Sequence, residues 1–463
     1  MRAKVFFRKA AIAAFLVTTS AGVAQSDTLA DAMVGAYSHS GLLDQNRALL
    51  RAADEGVAQA TAALRPVINY TATAVHSRAH AGTIVSTTNE LQLGLSLTQM
   101  LYDFGASKAA IQAQEQTVLA TRQQLIGIEQ SVLLSAVEAF MNVRRDAEIV
   151  ALRENNLRVI TRELRAAKDR FEVGEITRTD VATAEARLAG ARAQLAAARG
   201  ALMSSESVYF AVVGRKPGQL AAPGALPKTS NSAQSAENIA VRTHPNMEAA
   251  QFQVAAAEAG IVSAQASMKP TTSLSANLGY NDNLSGTTSS NSRSLSITAQ
   301  GPIYQGGRLS SLARQAVAQR DAARGSLHAT RHNIRQGVGI AWSQLLSARA
   351  QTEASKLQID AAQVAFEGVR EEASLGSRTA LDVLNAEQEL LNARANLVSA
   401  QSSEYTAAYG LLSAMGLLTV DNLNLAVERY DPEAYYNLVK SAPALKSKQG
   451  AQLDEVMKAL GKE

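Results

Sequence analysis

The amino-acid sequence predicts a mainly α-helical protein with membrane β-strands, in which very long antiparallel helices and four strands belong to one duplicated unit. Three observations support this fold class. Landmark residues recur at a constant separation, paired segments alternate between apolar and polar residues, and two proline-free helical stretches each run for nearly seventy residues. The apolar content is 46% but only 5% of residues are aromatic, which suits closely packed helices better than a thick globular core.

The first 24 residues have the features of a secretory signal peptide. Basic residues at positions 2, 4, 8 and 9 precede a short apolar core, and small residues at 22–24 offer a cleavage site. The core is too short to cross a bilayer, so we expect an exported chain rather than a short membrane anchor. Removal of this segment discards the formal net charge of +4, and the near-neutral remainder gives no support for nucleic-acid binding.

The chain contains no cysteine. Disulfides, thiolate metal sites and a cysteine nucleophile are therefore excluded. An acylated N-terminal cysteine, which would anchor a lipoprotein, is excluded for the same reason. We expect any attachment to a membrane to come from the folded protein itself.

A constant separation of 202 residues indicates that the chain is a duplication. The pairs separated in this way are Tyr102 and Tyr304, Gly105 and Gly307, Gly174 and Gly376, Asp180 and Asp382, Val181 and Val383, Glu185 and Glu387, and Gly214 and Gly416. The register drifts only in the segments before them, because Pro66 and Pro270 lie 204 residues apart. We therefore expect two tandem copies of one unit.

Each copy opens with an alanine-rich helical pattern that ends at a proline, Pro66 or Pro270. Proline disfavours helix in the residue before it, so the helices should stop there. The segments that follow alternate with a period of two, as residues 91–98 illustrate, and this alternation predicts strands with one apolar and one polar face. Polar segments rich in Gly, Ser and Asn at 79–89 and 281–292 predict a loop between the two strands of each hairpin.

Long helices are predicted to follow the hairpins. The helical pattern begins after Gly105 and Gly307 and continues without proline to Gly174 and Gly376. A helix of nearly seventy residues would be ~100 Å long at a rise of 1.5 Å per residue. A second helix of about forty residues then returns in each copy.

The amphipathic strands are consistent with an outer-membrane barrel or with a soluble antiparallel sheet that has one wet face. The signal peptide, the absence of cysteine, and the Tyr102 and Tyr304 pair at the strand ends favour the membrane interpretation, because tyrosine is common at the membrane–water boundary. Four strands cannot close a barrel, and lipid does not tolerate open edges. Several chains must then share one barrel, and counting strands allows two, three or four.

Taken together, these motifs resemble the TolC family of outer membrane efflux proteins over nearly the whole mature chain. The resemblance rests on the helix-to-strand junctions Ala63-Leu64-Arg65-Pro66 and Met268-Lys269-Pro270, the strand-to-helix segments Leu101-Tyr102-Asp103-Phe104-Gly105 and Pro302-Ile303-Tyr304-Gln305-Gly306-Gly307, and the helix-tip motifs Val173-Gly174-Glu175 and Leu375-Gly376-Ser377-Arg378. The tail that begins at Tyr430 resembles the ending of the type I protein-secretion branch.

The resemblance implies a homotrimer with a twelve-stranded barrel in outer-membrane lipid and a long helical tunnel in the periplasm. It also implies two partners, a periplasmic adaptor protein and an inner-membrane pump of the ABC or RND type. The expected organisation is a signal peptide at 1–24, structural repeats at 25–225 and 226–418, and an equatorial segment and tail at 419–463. The implied function is a passive exit channel of a tripartite efflux or type I secretion system.

The resemblance further implies a gate at the periplasmic helix tips. Asp382 matches the first position of an acidic ring, whereas Asn385 occupies the second and would weaken the ring. Arg378 matches an arginine that holds neighbouring helices shut, and Asp180 matches its partner. The gate tyrosine of the family falls on Ala373, so one closing hydrogen bond is expected to be missing. The alternative for the two aspartates is that they cap or solvate helices near a turn.

The two tips are expected to contact the adaptor. Gly174 and Gly376 should end helices in the left-handed conformation that glycine tolerates. By resemblance, the adaptor would meet the residues around them, Val173, Gly174 and Glu175 in the first tip and Leu375, Gly376 and Ser377 in the second.

No catalytic site, metal site or cofactor is expected. His328 and His332 have a spacing that can bind a metal, but no third ligand accompanies them, and an exposed helix face is the better interpretation. A periplasmic coiled-coil adaptor or scaffold without a membrane barrel is the alternative function, because it also contains long paired helices. It would not require two amphipathic hairpins.

Overall fold

The computed structural model describes residues 27–444 and 447–459, so the predicted signal peptide lies outside the described residues. Along this part of the chain the elements are α1 (Leu29–His39), α2 (Gly41–Ala62), β1 (Val67–Ala81), β2 (Ile84–Tyr102), α3 (Ala106–Glu172), α4 (Arg178–Val213), α5 (Ala233–Thr243), α6 (Pro245–Ala266), β3 (Thr271–Asn283), β4 (Ser289–Gln300), α7 (Arg308–Ser374), α8 (Ala380–Ala414), α9 (Pro432–Val439) and α10 (Lys448–Ala459).

The same order of elements occurs twice. Helices α1 and α5 each contain 11 residues, α2 and α6 each contain 22, and α3 and α7 each contain 67. The long helices start and end at positions that differ by the 202 residues found in the sequence. At 67 residues, each is about 100 Å long. Both predictions, the long helices and their return partners α4 and α8, are confirmed.

Glycine sets the angle at which each hairpin passes into its long helix. Gly105 precedes α3 with a φ of 88°, and Gly307 precedes α7 with a φ of 83°. These left-handed values strain other residues, so glycine is needed at both positions. In the first copy, the Asp103 carboxylate accepts hydrogen bonds from the N–H groups of Gly105 (3.0 Å) and Ser107 (2.7 Å), which satisfies donors at the start of α3.

The four strands form one antiparallel sheet in the order β1-β2-β3-β4. Its register aligns polar and small residues across all four strands, in the rows Asn69, Ser96, Asn277 and Ser294, and Thr71, Gly94, Gly279 and Ser292. The alternating rows on the opposite face are apolar in large part, namely Ile68, Leu97, Ala276 and Leu295, and Tyr70, Leu95 and Leu278 followed by Arg293. The predicted two-faced sheet is therefore confirmed, and both hairpins contribute to each face.

The outer edges of this sheet have no partner among the described residues. Strand β1 pairs only with β2, and β4 pairs only with β3. Each outer edge therefore presents unpaired backbone N–H and C=O groups, which another strand can pair with.

The strands of the first hairpin extend further than the sequence predicts. Strands β1 and β2 contain 15 and 19 residues and are separated only by positions 82 and 83, so most of the predicted loop at 79–89 is strand. Backbone pairing continues there because a ladder needs no apolar side chains. In the second hairpin, the turn shortens to residues 284–288. Tyr102 is the last residue of β2, but Tyr304 lies beyond the end of β4, so only one of the two tyrosines ends a strand.

The main hydrophobic core lies halfway along α3 rather than at either end. Phe140 and Leu133 of α3 are fully buried there against Met33 of α1, Tyr209 of α4 and Leu418, which follows α8. Elsewhere α4 packs along α3, α8 packs along α7, and α6 lies between α3 and α7, while α5 packs on α7 and α9 packs on α2. None of the described helices is both long and apolar enough to span a membrane.

Candidate functional site at the helix tips

The first helix tip is a five-residue turn between α3 and α4. Gly174 adopts a φ of 80°, and its N–H donates to the carbonyl of Phe171 at 3.0 Å. The N–H of Glu175 donates to the carbonyl of Arg170 at 2.9 Å, which closes the end of α3. A left-handed glycine thus ends the helix, as predicted from the sequence. The Val173 side chain beside it is 73% exposed.

The second tip, between α7 and α8, repeats this geometry. Gly376 adopts a φ of 81°, and its N–H donates to the carbonyl of Ala373 at 3.1 Å. The N–H of Ser377 donates to the carbonyl of Glu372 at 2.9 Å. Leu375 is 78% exposed. Each tip therefore presents one large apolar side chain next to a rigid glycine turn.

Both predicted gate aspartates cap the helices that return from the tips. Oδ2 of Asp180 accepts hydrogen bonds from the N–H (2.9 Å) and hydroxyl (2.8 Å) of Thr177. Oδ2 of Asp382 accepts the equivalent bonds from Thr379, at 3.0 and 2.9 Å. The capping alternative is thus realised in the protomer, and a Thr-x-x-Asp motif in the sequence signals it.

These hydrogen bonds also favour the ionised form of the two carboxylates. The backbone and hydroxyl donors of Thr177 hold the pKa of Asp180 below its usual range. The same donors of Thr379 lower the pKa of Asp382, and the charge of Arg378 lowers it further. Both side chains are therefore anionic at neutral pH while they cap their helices.

The structure brings Arg378 and Asp180 to one groove but does not pair them within the protomer. Nε of Arg378 instead donates to Oε2 of Glu372 at 2.8 Å, across the turn of its own tip. Asn385 accepts a hydrogen bond at 2.5 Å from Nη2 of Arg187, which belongs to α4. Glu372 and Arg187 were not identified from the sequence. Neither stands in a motif, and only the folded helices reveal their partners.

The two tips are in contact with each other inside one protomer. Leu384 of α8 packs with Val181 and Ala184 of α4, in a cluster that also contains Ile160 and Leu164 of α3. Asp180, Ala373, Arg378 and Thr379 border the groove between the two tips. The site is therefore a junction between two helical hairpins, at which charged side chains surround a small apolar contact.

A carboxylate that the sequence analysis missed lies further from the tips on the same junction. Burial raises the pKa of Glu387 on α8, and the nearby carboxylate of Glu163 on α3 raises it further, against the opposing charge of Arg162. Its repeat equivalent, Glu185, instead pairs with Lys168 at 2.8 Å. The duplication aligns Glu387 with Glu185 in the sequence, but the different surroundings of the two carboxylates appear only in the folded helices.

Within the described residues, no group of three or more potential ligands is arranged to hold a metal ion. His328 and His332 are exposed on α7, as expected from their spacing and lack of a third ligand.

Comparisons with known proteins agree with this architecture. The sequence model of a family described as "Outer membrane efflux protein" matches residues 36–213 and 238–417. The chain is 38% identical over 419 residues to the outer membrane efflux protein BepC of Brucella suis biovar 1 (strain 1330), which covers 90% of this chain and 91% of BepC. It is 26% identical to the outer membrane protein TolC of Vibrio cholerae, over 80% of this chain and 86% of that protein.

Solved structures confirm the fold. The CmeC outer membrane channel of Campylobacter jejuni superimposes with a TM-score of 0.74, covers 91% of both chains and shares 15% sequence identity. The sheet, the paired long helices and their duplication are thus those of a TolC-like channel. The chain belongs to the family of outer membrane efflux proteins and is an outer-membrane efflux or secretion channel.

Proposed function

We propose that three copies of this chain form a passive exit duct that crosses the outer membrane and closes at the helix tips. The observation that carries the proposal is the continuity of one sheet, apolar on one face and polar on the other, with two helices of 67 residues. The apolar face meets lipid, the polar rows line a water-filled lumen, and the helices prolong that lumen into the periplasm.

The free edges of the sheet support an oligomer. Inside lipid, every backbone N–H and C=O must find a protein partner, so the outer edges of β1 and β4 must pair with other chains. Pairing β4 of one protomer with β1 of the next closes a barrel. The family resemblance favours three chains, and hence twelve strands.

Exposed apolar side chains on the long helices give independent support for neighbouring chains. Leu357 and Val364 of α7 are 70% and 71% exposed in the protomer. They lie seven residues apart, and so on one face of the helix. A face of this kind on a periplasmic helix is stabilised when a second helix covers it.

The gate of the duct is proposed to be the junction at the tips. In a trimer, three anionic Asp382 side chains would meet near the axis and attract cations, while Asn385 adds no charge to the ring. By the family resemblance, Arg378 and Asp180 would tie one protomer to the next, and both side chains are exposed and do not pair with each other within the protomer. Ala373 stands where the family has a gate tyrosine, so the closing hydrogen bond of that tyrosine would be missing here.

Opening requires a partner that separates the tips. We propose that a periplasmic adaptor seats on the exposed tip residues Val173, Gly174, Glu175, Leu375, Gly376 and Ser377, and that an ABC or RND pump of the inner membrane supplies the cargo. The apolar Val173 and Leu375 side chains offer the burial that a helical hairpin needs. Selection of the cargo rests with the pump. An adaptor or scaffold function for the chain itself is not favoured, since the relatives are channels and efflux proteins.

The proposed organisation keeps the boundaries expected from the sequence: a signal peptide at 1–24, repeats at 25–225 and 226–418, and an equatorial segment with the tail at 419–463. The recurrence of element lengths supports the two repeats.

The gate is tested by single-channel currents in planar bilayers. The double variant Asp382→Ala/Arg378→Ala should conduct severalfold more than the wild type, because it removes the ring carboxylate and the arginine proposed to tie each protomer to Asp180 of the next. Thr379→Ala is the matched control. It removes the hydroxyl cap of α8, at a cost of about 1 kcal/mol, and keeps both charges.

Unchanged conductance in the double variant would remove Asp382 and Arg378 from the gate. An equal increase in Thr379→Ala would show that loosening of the helix cap, rather than loss of charge, opens the tips.

A further inference from the structure

The N-terminal part of α7 carries a stripe of arginines that the channel function leaves unexplained. At about 100° per residue, five arginines fall within an arc of about 120° on one helix face. They are Arg314, Arg320, Arg324, Arg331 and Arg335, here called the arginine stripe. His328 and His332 lie on the same face, and no lysine occurs between residues 308 and 335.

Only part of the charge of the arginine stripe is neutralised. Arg320 pairs with Asp321 at 2.8 Å, and Arg324 pairs with Glu258 of α6 at 2.7 Å. Arg314, Arg331 and Arg335 have no ion pair within 4.0 Å among the described residues. In addition, Nε of Arg331 is buried and has no hydrogen-bond partner in this part of the chain. The stripe therefore keeps positive charge for an external anion, above all at Arg314 and Arg335, whose side chains are exposed.

The duplication shows which side of the helix layer the stripe occupies. Arg324 and Arg331 correspond by the 202-residue offset to Arg122 and Glu129 of α3. In α3 this face is covered by the C-terminal segment. Arg122 pairs with Glu433 at 3.3 Å, and Glu129 accepts a hydrogen bond at 2.7 Å from the N–H of Val420.

The C-terminal segment marks the outer surface of the tunnel, because the opposite face must line an open conduit. This step rests on the proposed function. Among the described residues, the C-terminal segment packs on α2 and α3 of the first repeat, whereas Arg314, Arg324 and Arg335 on the equivalent face of α7 are exposed. The arginine stripe thus faces the periplasm.

The length of the stripe selects the kind of ligand. Arg314 lies about 9 Å and Arg335 about 40 Å along α7 from its start below the strands, at 1.5 Å per residue. Lipid phosphates at the membrane surface reach only the top of this range. A polymer with regularly placed carboxylates can follow all of it, and arginine suits carboxylates because it binds them with two parallel hydrogen bonds.

We propose that the arginine stripe binds the carboxylate-bearing glycan polymer of the cell wall and so holds the duct at a fixed depth in the periplasm. Three stripes around a trimer would bind several strands at once, which raises the overall affinity without a new contact.

Co-sedimentation of the purified mature protein with isolated cell-wall sacculi tests the proposal. Arg314→Gln/Arg335→Gln should reduce retention about tenfold, because surface charge contacts are individually weak and add together. Arg165→Gln/Arg192→Gln is the matched control. It removes the same charge from exposed positions of α3 and α4 and should bind as the wild type does. Retention should also fall with added salt and be lost when the sacculus carboxylates are amidated.

Equal retention of the two double variants, or retention that survives amidation, would overturn the proposal. Binding to vesicles of anionic phospholipid that only the stripe variant loses would identify lipid phosphates as the ligand instead. Planar-bilayer currents separate this inference from the proposed duct. Normal currents without sacculus binding reject the inference alone, and absence of currents in the wild type rejects the duct.

Discussion

Replacing Asp54 with asparagine is expected to slow hydrogen exchange in α9 by up to about a hundredfold at pH 8 and to leave it nearly unchanged at pH 4. Asp54 lies on α2, is 0% exposed, and has no hydrogen-bond partner for either carboxylate oxygen among the described residues. Burial raises its pKa to about 6, against the lowering effect of Arg122, and Glu55 raises it further.

The sign of the effect follows from this raised pKa. The folded protein favours the neutral carboxyl of Asp54. Ionisation therefore destabilises the state in which α9 is closed over Asp54. This loss of stability grows between about pH 4 and pH 6 and is complete above pH 6. A shift of about two units corresponds to about 3 kcal/mol. Opening of α9 exposes Asp54 to water and relieves that cost. Asparagine has nearly the same shape and carries no charge, so it should keep α9 closed at pH 8.

Asp44→Asn on the same helix is the control for Asp54→Asn. Asp44 is exposed and pairs with Arg47 at 3.1 Å, an interaction worth roughly 0.2–1 kcal/mol, so exchange in α9 should change little at either pH. An Asp54→Asn effect of equal size at pH 4 and pH 8 would contradict the argument, since it could not arise from ionisation.

Replacing Gly416 with alanine is expected to destabilise the protein far more than the same change at Gly376. Gly416 ends α8 with a φ of 75°, and an added Cβ would lie 2.7 Å from the Cα of His244 and 3.1 Å from the carbonyl oxygen of Thr243. Left-handed backbone costs alanine about 1–2 kcal/mol, and forcing the neighbouring backbone aside adds about 1–3 kcal/mol.

The substitution Gly376→Ala measures the cost of the left-handed backbone alone, without the steric clash. The φ of Gly376 is 81°, but an added Cβ would meet no atom within 4 Å. Gly376→Ala should therefore lose only about 1–2 kcal/mol. The temperature at which the purified oligomer dissociates compares the two variants. Equal losses would show that the α8 end is not held against the start of α6 as the structure has it.

The repeated parts of the fold could be predicted because their signals are local. A glycine or a proline marks each junction in both copies, and the alternation in residues 91–98 marks the strand faces. The lengths of β1 and β2 could not be predicted, since hydrogen bonding between strands extended them through a segment with loop composition.

The partners of the candidate gate residues depend on contacts between distant parts of the chain. Nothing near Arg378 in sequence distinguishes Glu372 from other acids as its partner, and Asn385 receives its hydrogen bond from Arg187 on another hairpin. Asp54 is a similar case. It stands beside Glu55 on a helix that is partly polar, and its burial depends on the cluster that Tyr430 and Tyr436 complete nearly four hundred residues later.

The sequence could not decide whether Asp180 and Asp382 cap helices or line a pore, because one motif serves both purposes. A Thr-x-x-Asp motif caps a helix wherever it occurs, and the same carboxylate can line a narrow pore when three chains meet. The protomer contains the cap in both tips. The pore role depends on neighbouring chains and on the conductance experiment.

The central claim is that the sheet lines a water-filled passage through the outer membrane, and thiol accessibility tests it most directly. The chain has no cysteine, so single cysteines can be introduced at adjacent positions of β2 without background. Ser96 belongs to a polar row and Leu95 to an apolar row of the sheet. In outer membranes, Ser96→Cys should react readily with a charged, membrane-impermeant thiol reagent. Leu95→Cys should react only after denaturation, and equal or reversed reactivity of the two positions would contradict the account.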